Sequence, residues 1–405
     1  MFKIYNSLGK KMADFRPANK DVVTLFTCGP SVYQRAHIGN FRTFLFEDVL
    51  VRYLEYSGYR VRRGLNFTDI EDKAIVESEK RHLSVAQITD ENIKVFLGEM
   101  KLLGMKIPDY LPKASDHVAE AVEIIERLLA KGIAYWHGRN VYFDPLRSPG
   151  FGKIYGLDMT KWPRKKRRFH KDTYPGIQWN RGDFILWHGY KERDKIFWET
   201  KIGKGRPSWN IQDASMVGSQ FHETLSIYCG GIDNLYRHHD YSRAILESIR
   251  PYPMALYWLH CHHLYVQGKK MSKSKGNILY TETLMEKGYS AKEVRFFLIY
   301  NHYRSRLDYR EERMEAAAGK LRDLRQRVRR ISHWAGPAEA GAGRTSREIV
   351  KAFQEKMDAD LDVRAACDGL YTAVSGIIPA QLGKEEAAGI VQTLRGIDSV
   401  LKVIF

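Results

Sequence analysis

Residues 22–40 read Val22-Val23-Thr24-Leu25-Phe26-Thr27-Cys28-Gly29-Pro30-Ser31-Val32-Tyr33-Gln34-Arg35-Ala36-His37-Ile38-Gly39-Asn40, and this stretch decides the fold. The apolar run of residues 22–28 predicts a short buried strand, stopped by the breaker pair Gly29-Pro30. Helical spacing follows from about Phe41, with Phe44, Leu45, Val49, Leu50, Tyr53 and Leu54 on one face. Gly58 stands where a glycine commonly closes a helix. Residues 59–67 predict a second strand. Strand, loop, helix and strand in one short span form a βαβ unit, hence a parallel sheet with right-handed crossovers.

Outward from this unit, helical periodicity resumes over residues 85–103 and 114–129. Residues 134–205 change character, being rich in Gly, Pro, Trp and basic groups, and read as an insertion between two halves of the sheet domain. They carry Lys161-Trp162-Pro163-Arg164-Lys165-Lys166-Arg167-Arg168, followed by Lys171. Residues 225–229 predict a strand leading into Gly230-Gly231, residues 238–248 a helix, and residues 254–266 contain a further strand. From residue 291 onward the pattern is almost wholly helical, with breaks near Gly336-Pro337, Gly341 to Gly343, Pro379 and Gly383. An α/β domain followed by a helical bundle is the resulting architecture, divided as 1–133, 134–205, 206–290 and 291–405.

The 405 residues include 65 basic and 48 acidic side chains, a formal charge of +17 that points to an anionic partner. At 44% hydrophobic and 28% charged, the chain has the composition of a folded protein rather than a disordered one. No stretch approaches the roughly 18 apolar residues that cross a bilayer. Residues 1–11 are polar and lack the apolar core of a signal peptide. Cys28, Cys229, Cys261 and Cys367 form no CxxC pair, which suits reduced thiols in a cytoplasm better than a disulfide framework.

Two motifs carry chemistry. His37-Ile38-Gly39-Asn40 lies between a predicted strand and helix, where a glycine admits a phosphate and the helix N-terminus offers free N–H groups. Lys270-Met271-Ser272-Lys273-Ser274-Lys275-Gly276-Asn277 sets lysines and hydroxyls on a glycine-ended loop, which suits a clamp on a polyphosphate. Together and in this order they resemble the HIGH and KMSKS signatures of class I aminoacyl-tRNA synthetases. Further segments narrow the resemblance to the cysteinyl-tRNA synthetase family: Thr27-Cys28-Gly29-Pro30, Asn66-Phe67-Thr68-Asp69-Ile70-Glu71-Asp72-Lys73, Gly205-Arg206-Pro207-Ser208-Trp209, Gly230-Gly231-Ile232-Asp233, His238-His239 and His302-Tyr303-Arg304-Ser305.

The resemblance implies an α/β, Rossmann-like class I synthetase catalytic domain with an insertion, followed by a C-terminal α-helical bundle. It implies adenylation of an amino acid with ATP and Mg²⁺. His37, Gly39, Asn40, Gly230, Gly231, Asp233 and Lys273 would hold ATP, with His37, Lys270 and Lys273 acting on the transition state. Cys28, Thr68, Trp209, Asp213 and His238 would form the amino-acid pocket. Family members hold Zn²⁺ with two Cys, one His and one Glu; here Cys28 and His238 match, Asp213 replaces the second Cys and Ser242 the Glu. Two readings follow: Cys28, Asp213 and His238 keep zinc with an open position, or the metal is lost and Asp213 faces a polar group of another substrate. Strict cysteine selection is not expected in either case.

The chain ends about where the family's helical bundle finishes, so no anticodon-reading domain is expected, as in the mycothiol ligase that joins cysteine to an amine. The leading expectation is a cytoplasmic ATP-dependent ligase that passes an activated amino acid to a small non-tRNA amine. The basic run of residues 161–171 and Arg322, Arg325, Arg327, Arg329 and Arg330 keep a tRNA acceptor stem as the alternative acceptor. A non-catalytic RNA-binding paralogue is the third reading.

Overall fold

A computed structural model describes residues 1–161, 182–192, 194–271, 276–341 and 343–405. Its centre is the βαβ unit. Val23–Thr27 runs parallel to Val61–Leu65, and the helix Ile38–Tyr56 joins them. That helix starts three residues ahead of Phe41 because His37 caps it, a polar start that apolar spacing does not register. The full sheet is parallel, in the order Ala255–Cys261, Leu225–Gly231, Val23–Thr27, Val61–Leu65. Crossovers run outward from the middle pair, so a topological switch point falls between Val23–Thr27 and Leu225–Gly231.

Residues 134–207 carry a separate antiparallel sheet of five strands, Ala134–His137, Asn140–Phe143, Phe184–Gly189, Gly203–Pro207 and Trp198–Thr200 in spatial order. Beyond residue 290 lie the helices Ala291–Ile299, Glu311–Ala335, Arg344–Met357, Val363–Ser375 and Lys384–Leu401. One strand, Leu307–Tyr309, interrupts this helical region and pairs with Leu264–Val266. Three residues are too few to show a period of two, so the sequence reads there as helix. The helix Asp72–Arg81 also escapes the sequence reading, because it buries only Ala74 and Ser78 and has no apolar stripe to find. Among the described residues no helix is long and apolar enough to cross a membrane.

A buried ion pair joins the first helix to the C-terminal helices. Arg295 Nη2 donates to Asp48 Oδ2 at 2.6 Å, with side-chain exposures of 1% and 0%. Arg52 Nε and the Lys106 backbone N–H complete the carboxylate, at 2.9 and 2.7 Å. Arg295 also donates to the carbonyls of Leu401 and Leu103. One guanidinium thereby ties three segments distant in sequence. Burial disfavours the Asp48 anion, but the two arginines and the Lys106 amide outweigh it and hold its pKa below the usual carboxylate value.

Removing one partner of such a pair leaves a buried charge uncompensated, so Asp48→Asn should cost about 3 kcal/mol in urea unfolding at neutral pH. The folded pKa is depressed, so this contribution is present above the unfolded pKa near about 4 and is lost as pH falls toward the folded value. The gap between wild type and Asp48→Asn should therefore narrow below about pH 4.

Candidate active site

The switch point opens a cleft of about 340 Å³ whose wall includes Cys28, His37, Trp209, Asp233 and Lys270. The Cys28 N–H donates to the Cys229 carbonyl at 2.9 Å, which sets the ends of the two middle strands side by side. The loops that leave those ends face each other across the cleft.

At one end stands the His37 turn. The Asn40 N–H donates to His37 Nδ1 at 3.3 Å, and the His37 N–H donates to Asn40 Oδ1 at 3.0 Å. This reciprocal cap satisfies two helix-terminal donors. Asn40 thus serves as an acceptor within the turn. With Nδ1 accepting, a neutral His37 carries its proton on Nε2. Burial lowers the His37 pKa, and Lys270 pushes the same way, so the ring is neutral at physiological pH. Gly39 packs closely: a Cβ there would lie 3.1 Å from the His37 ring and 2.5 Å from Met271 Cε, the movable end of a flexible side chain.

Opposite the turn, Gly231 and Asp233 line the cleft, while Gly230 lies behind against His239. Lys270 Nζ stands 3.4 Å from His263 Nε2, both on the cleft wall. Lys273 and the basic run from Trp162 to Lys171 lie outside the described residues. Of the bundle arginines, Arg322 pairs with Glu293 and Glu315, Arg327 pairs with Asp323, and Arg325 donates to the Ile404 carbonyl. Much of that basic stretch is engaged internally.

The floor joins Cys28, Asp213 and His238, whose donor atoms lie within 4.8 Å of one another. Only Cys28 reaches the cleft wall; Asp213 is fully buried and faces protein groups rather than the cavity. Asp213 Oδ2 accepts from the Tyr228 hydroxyl at 2.6 Å and lies 3.1 Å from His238 Nε2, while Oδ1 accepts from Asn66 Nδ2 at 3.2 Å. Burial opposes the Asp213 charge, yet His238 and the hydroxyl and thiol donors hold its pKa below the usual value. Burial and the Asp213 charge push the Cys28 thiol well up. Trp209, itself on the cleft wall, stacks on His238 with ring centroids 3.8 Å apart. Thr68 is buried and pairs its backbone with Pro30 and Val32 rather than lining the cleft.

A family model of the class I (C) tRNA synthetase catalytic domain matches residues 14–319. Cysteine–tRNA ligase of Chlamydia muridarum is 36% identical over 419 residues, covering 99% of this chain and 87% of the relative. That of Chlamydia pneumoniae is 37% identical, covering 99% and 86%. The chain belongs to the cysteine–tRNA ligase family. Its members are ATP-dependent class I ligases. At the level of fold, methionyl-tRNA synthetase of Mycobacterium tuberculosis, solved with methionyl-adenylate, superposes with a TM-score of 0.65 at 14% identity, covering 95% of this chain and 90% of that one.

Several cleft residues escaped the sequence reading as site residues: Tyr33, Arg35, Lys73, Asn234 and His263. Asn234 Nδ2 donates to Cys28 Sγ at 3.3 Å, and Arg35 stands two residues before His37. Proximity to the motifs was the only available signal. Asp213→Asn keeps the shape but leaves one donor of this buried cluster without an acceptor, and should cost about 2 kcal/mol by urea unfolding. Ser242→Ala removes only a hydroxyl that donates within its own helix to the His238 carbonyl, and should change stability by less than about 0.5 kcal/mol.

Proposed function

We propose that the chain activates an amino acid beyond cysteine alone and transfers it to an amine other than a tRNA end. In the first step the amino-acid carboxylate attacks the ATP α-phosphorus and pyrophosphate leaves, with Mg²⁺ on the phosphates. His37, Gly39 and Asn40 would hold the nucleotide at the helix N-terminus, with Gly230, Gly231 and Asp233 toward the ribose. Lys270 and Lys273 would carry the charge that develops on pyrophosphate. In the second step the amine nitrogen attacks the acyl carbon and AMP leaves.

The observation that carries the altered selection is Asp213, a carboxylate where the family has its second thiolate, inside a hydrogen-bonded cluster. Cys28, Asp213 and His238 supply sulfur, oxygen and nitrogen donors close enough to fit Zn²⁺. His238 Nδ1 is buried with no hydrogen-bond partner among the described residues. Bound there, the metal would supply Lewis-acid recognition of a substrate heteroatom at an open position. Support for an amine acceptor comes from Glu71, beside the cleft-lining Ser31, Tyr33 and Lys73. Its Oε1 is buried without a hydrogen-bond partner among the described residues, and burial raises its pKa against the opposing pull of Ser31 and Lys73. An amine arrives protonated and must lose a proton before or during attack, and Glu71 can accept it. A ribose hydroxyl also sheds a proton on attack, but it arrives neutral, so only the amine needs a proton removed before its lone pair is free. Transfer to a tRNA acceptor stem is the second reading, favoured by the names of the relatives and by Arg306, Arg313, Lys320 and Arg364 lining one further cleft.

Pyrophosphate exchange across the amino acids should show cysteine and at least one other substrate within about 100-fold in kcat/KM. Glu71→Gln should leave exchange within about twofold and slow transfer to an amine by roughly 100-fold. Wild-type transfer should rise with pH through the raised Glu71 pKa, because the base acts when ionised. Label arriving on the tRNA 3′ end, with salt-sensitive binding, would establish the second reading instead. Elemental analysis should find about one zinc per chain, lost in Cys28→Ser.

A further inference from the structure

Arg35 makes no direct contact with His37, yet it holds the segment that packs against the His37 turn. Its Nη2 donates to Glu99 Oε1 at 2.6 Å, on the helix Val85–Leu102, and its Nε donates to the same oxygen at 3.1 Å. In the other direction Nη1 donates to Glu282 Oε2 at 2.7 Å, on the short helix Thr281–Glu286. The guanidinium lies 5.0 Å over the Tyr280 ring. Residues 276–280, which return from the lysine motif, form no regular helix or strand. A second link fastens them beside the first: the Ile38 N–H donates to the Leu279 carbonyl at 3.0 Å. Residues 35–38 and 279–282 are therefore stitched together by one backbone bond, one ion pair and one cation–ring contact.

We propose that Arg35 is a positioning residue for adenylation, fixing the return segment 276–282 in register against the His37 turn. Glu282 is 61% exposed and Arg35 32% exposed, so their pair contributes little to folding. Placement is another matter. Groups that stabilise charge in a transition state lose much of their effect when displaced by a fraction of an ångström to an ångström. A contact of small folding value thus has a large effect on rate. Glu99 serves as the fixed side of the tie, being nearly buried at 7% exposure, while Glu282 is the side that transmits position to the return segment. This inference rests on the adenylating chemistry above and is independent of the acceptor.

The decisive variants are Glu282→Ala and Glu282→Gln, which leave the Arg35–Glu99 contact intact. In Glu282→Ala the kcat of pyrophosphate exchange should fall about tenfold, with the ATP KM changed less than about threefold and the urea midpoint unchanged. Glu282→Gln keeps an oxygen acceptor for Arg35 and should restore most of the rate. Amide hydrogen exchange of Ile38 should quicken about tenfold in Glu282→Ala, since its acceptor carbonyl lies on the loosened segment. An unchanged kcat together with unchanged Ile38 exchange would overturn the proposal, as would equal rate losses in the alanine and glutamine variants. Absence of exchange activity in wild type would count against adenylation itself, whereas the Ile38 amide still reads the tie.

Discussion

Everything at the site depends on the parallel pairing of Val23–Thr27 with Leu225–Gly231. Parallel strands send their connections out at the same edge, and the reversal of crossover direction between these two leaves a crevice there. Cys28 and the His37 turn follow from one strand; Gly231, Asp233 and the Asp213-facing His238 follow from the other. No side chain had to evolve a route to its neighbour across the cleft. The backbone bond from Cys28 to Cys229 already sets the two loops at contact distance. The close approach continues below, where a Cβ on Gly29 would meet the Asn66 carbonyl at 1.7 Å, so only glycine fits.

Buried charge is handled differently at Asp48 and at Asp213. At Asp48 the carboxylate meets two guanidinium groups and an amide, and the arrangement fastens the C-terminal helices to the catalytic domain. At Asp213 the partners are a phenol, an amide, a thiol and an imidazole, none of them permanently charged. Such a cluster tolerates a change of proton count or the arrival of a cation more readily than a closed ion pair does. The first cluster is suited to holding a shape; the second is the one that the proposed zinc site would use.

Legibility in the sequence followed the same physics. The central unit was readable because its first strand is a largely apolar run stopped by Gly29-Pro30 and its helix is rich in apolar residues at helical spacing, both local signals. The helix is in fact buried nearly all round, and the second strand, Val61–Leu65, carries two arginines. The His37 and Lys270 motifs were readable because each is a short contiguous segment. What could not be read was any fact that depends on two distant segments meeting. Asp213 looked free to face a substrate; in the fold it is enclosed by Tyr228, Asn66 and His238. Thr68 looked like pocket wall, but its backbone builds the loop at Pro30. Arg35 looked like one arginine among many, and only the fold brings Glu99 and Glu282 to either side of it. The polar helix Asp72–Arg81 had no apolar period to announce it.

This division between local and assembled features bears on how the two ends of the cleft can change. The proposed nucleotide end is made largely of turns and helix termini, where backbone N–H groups that substitution leaves in place would hold a phosphate. His37 and Asn40 keep that geometry through a reciprocal cap even though Asn40 departs from the usual final histidine. The proposed amino-acid end is assembled from single side chains on separate elements, Cys28, Asn66, Asp213, Tyr228 and His238. One substitution there changes donor type, charge and the fit to a metal at once. On the proposed reading, a chain that keeps its nucleotide motifs while carrying a carboxylate at the family's second thiolate position differs at the end that would select and not at the end that would activate.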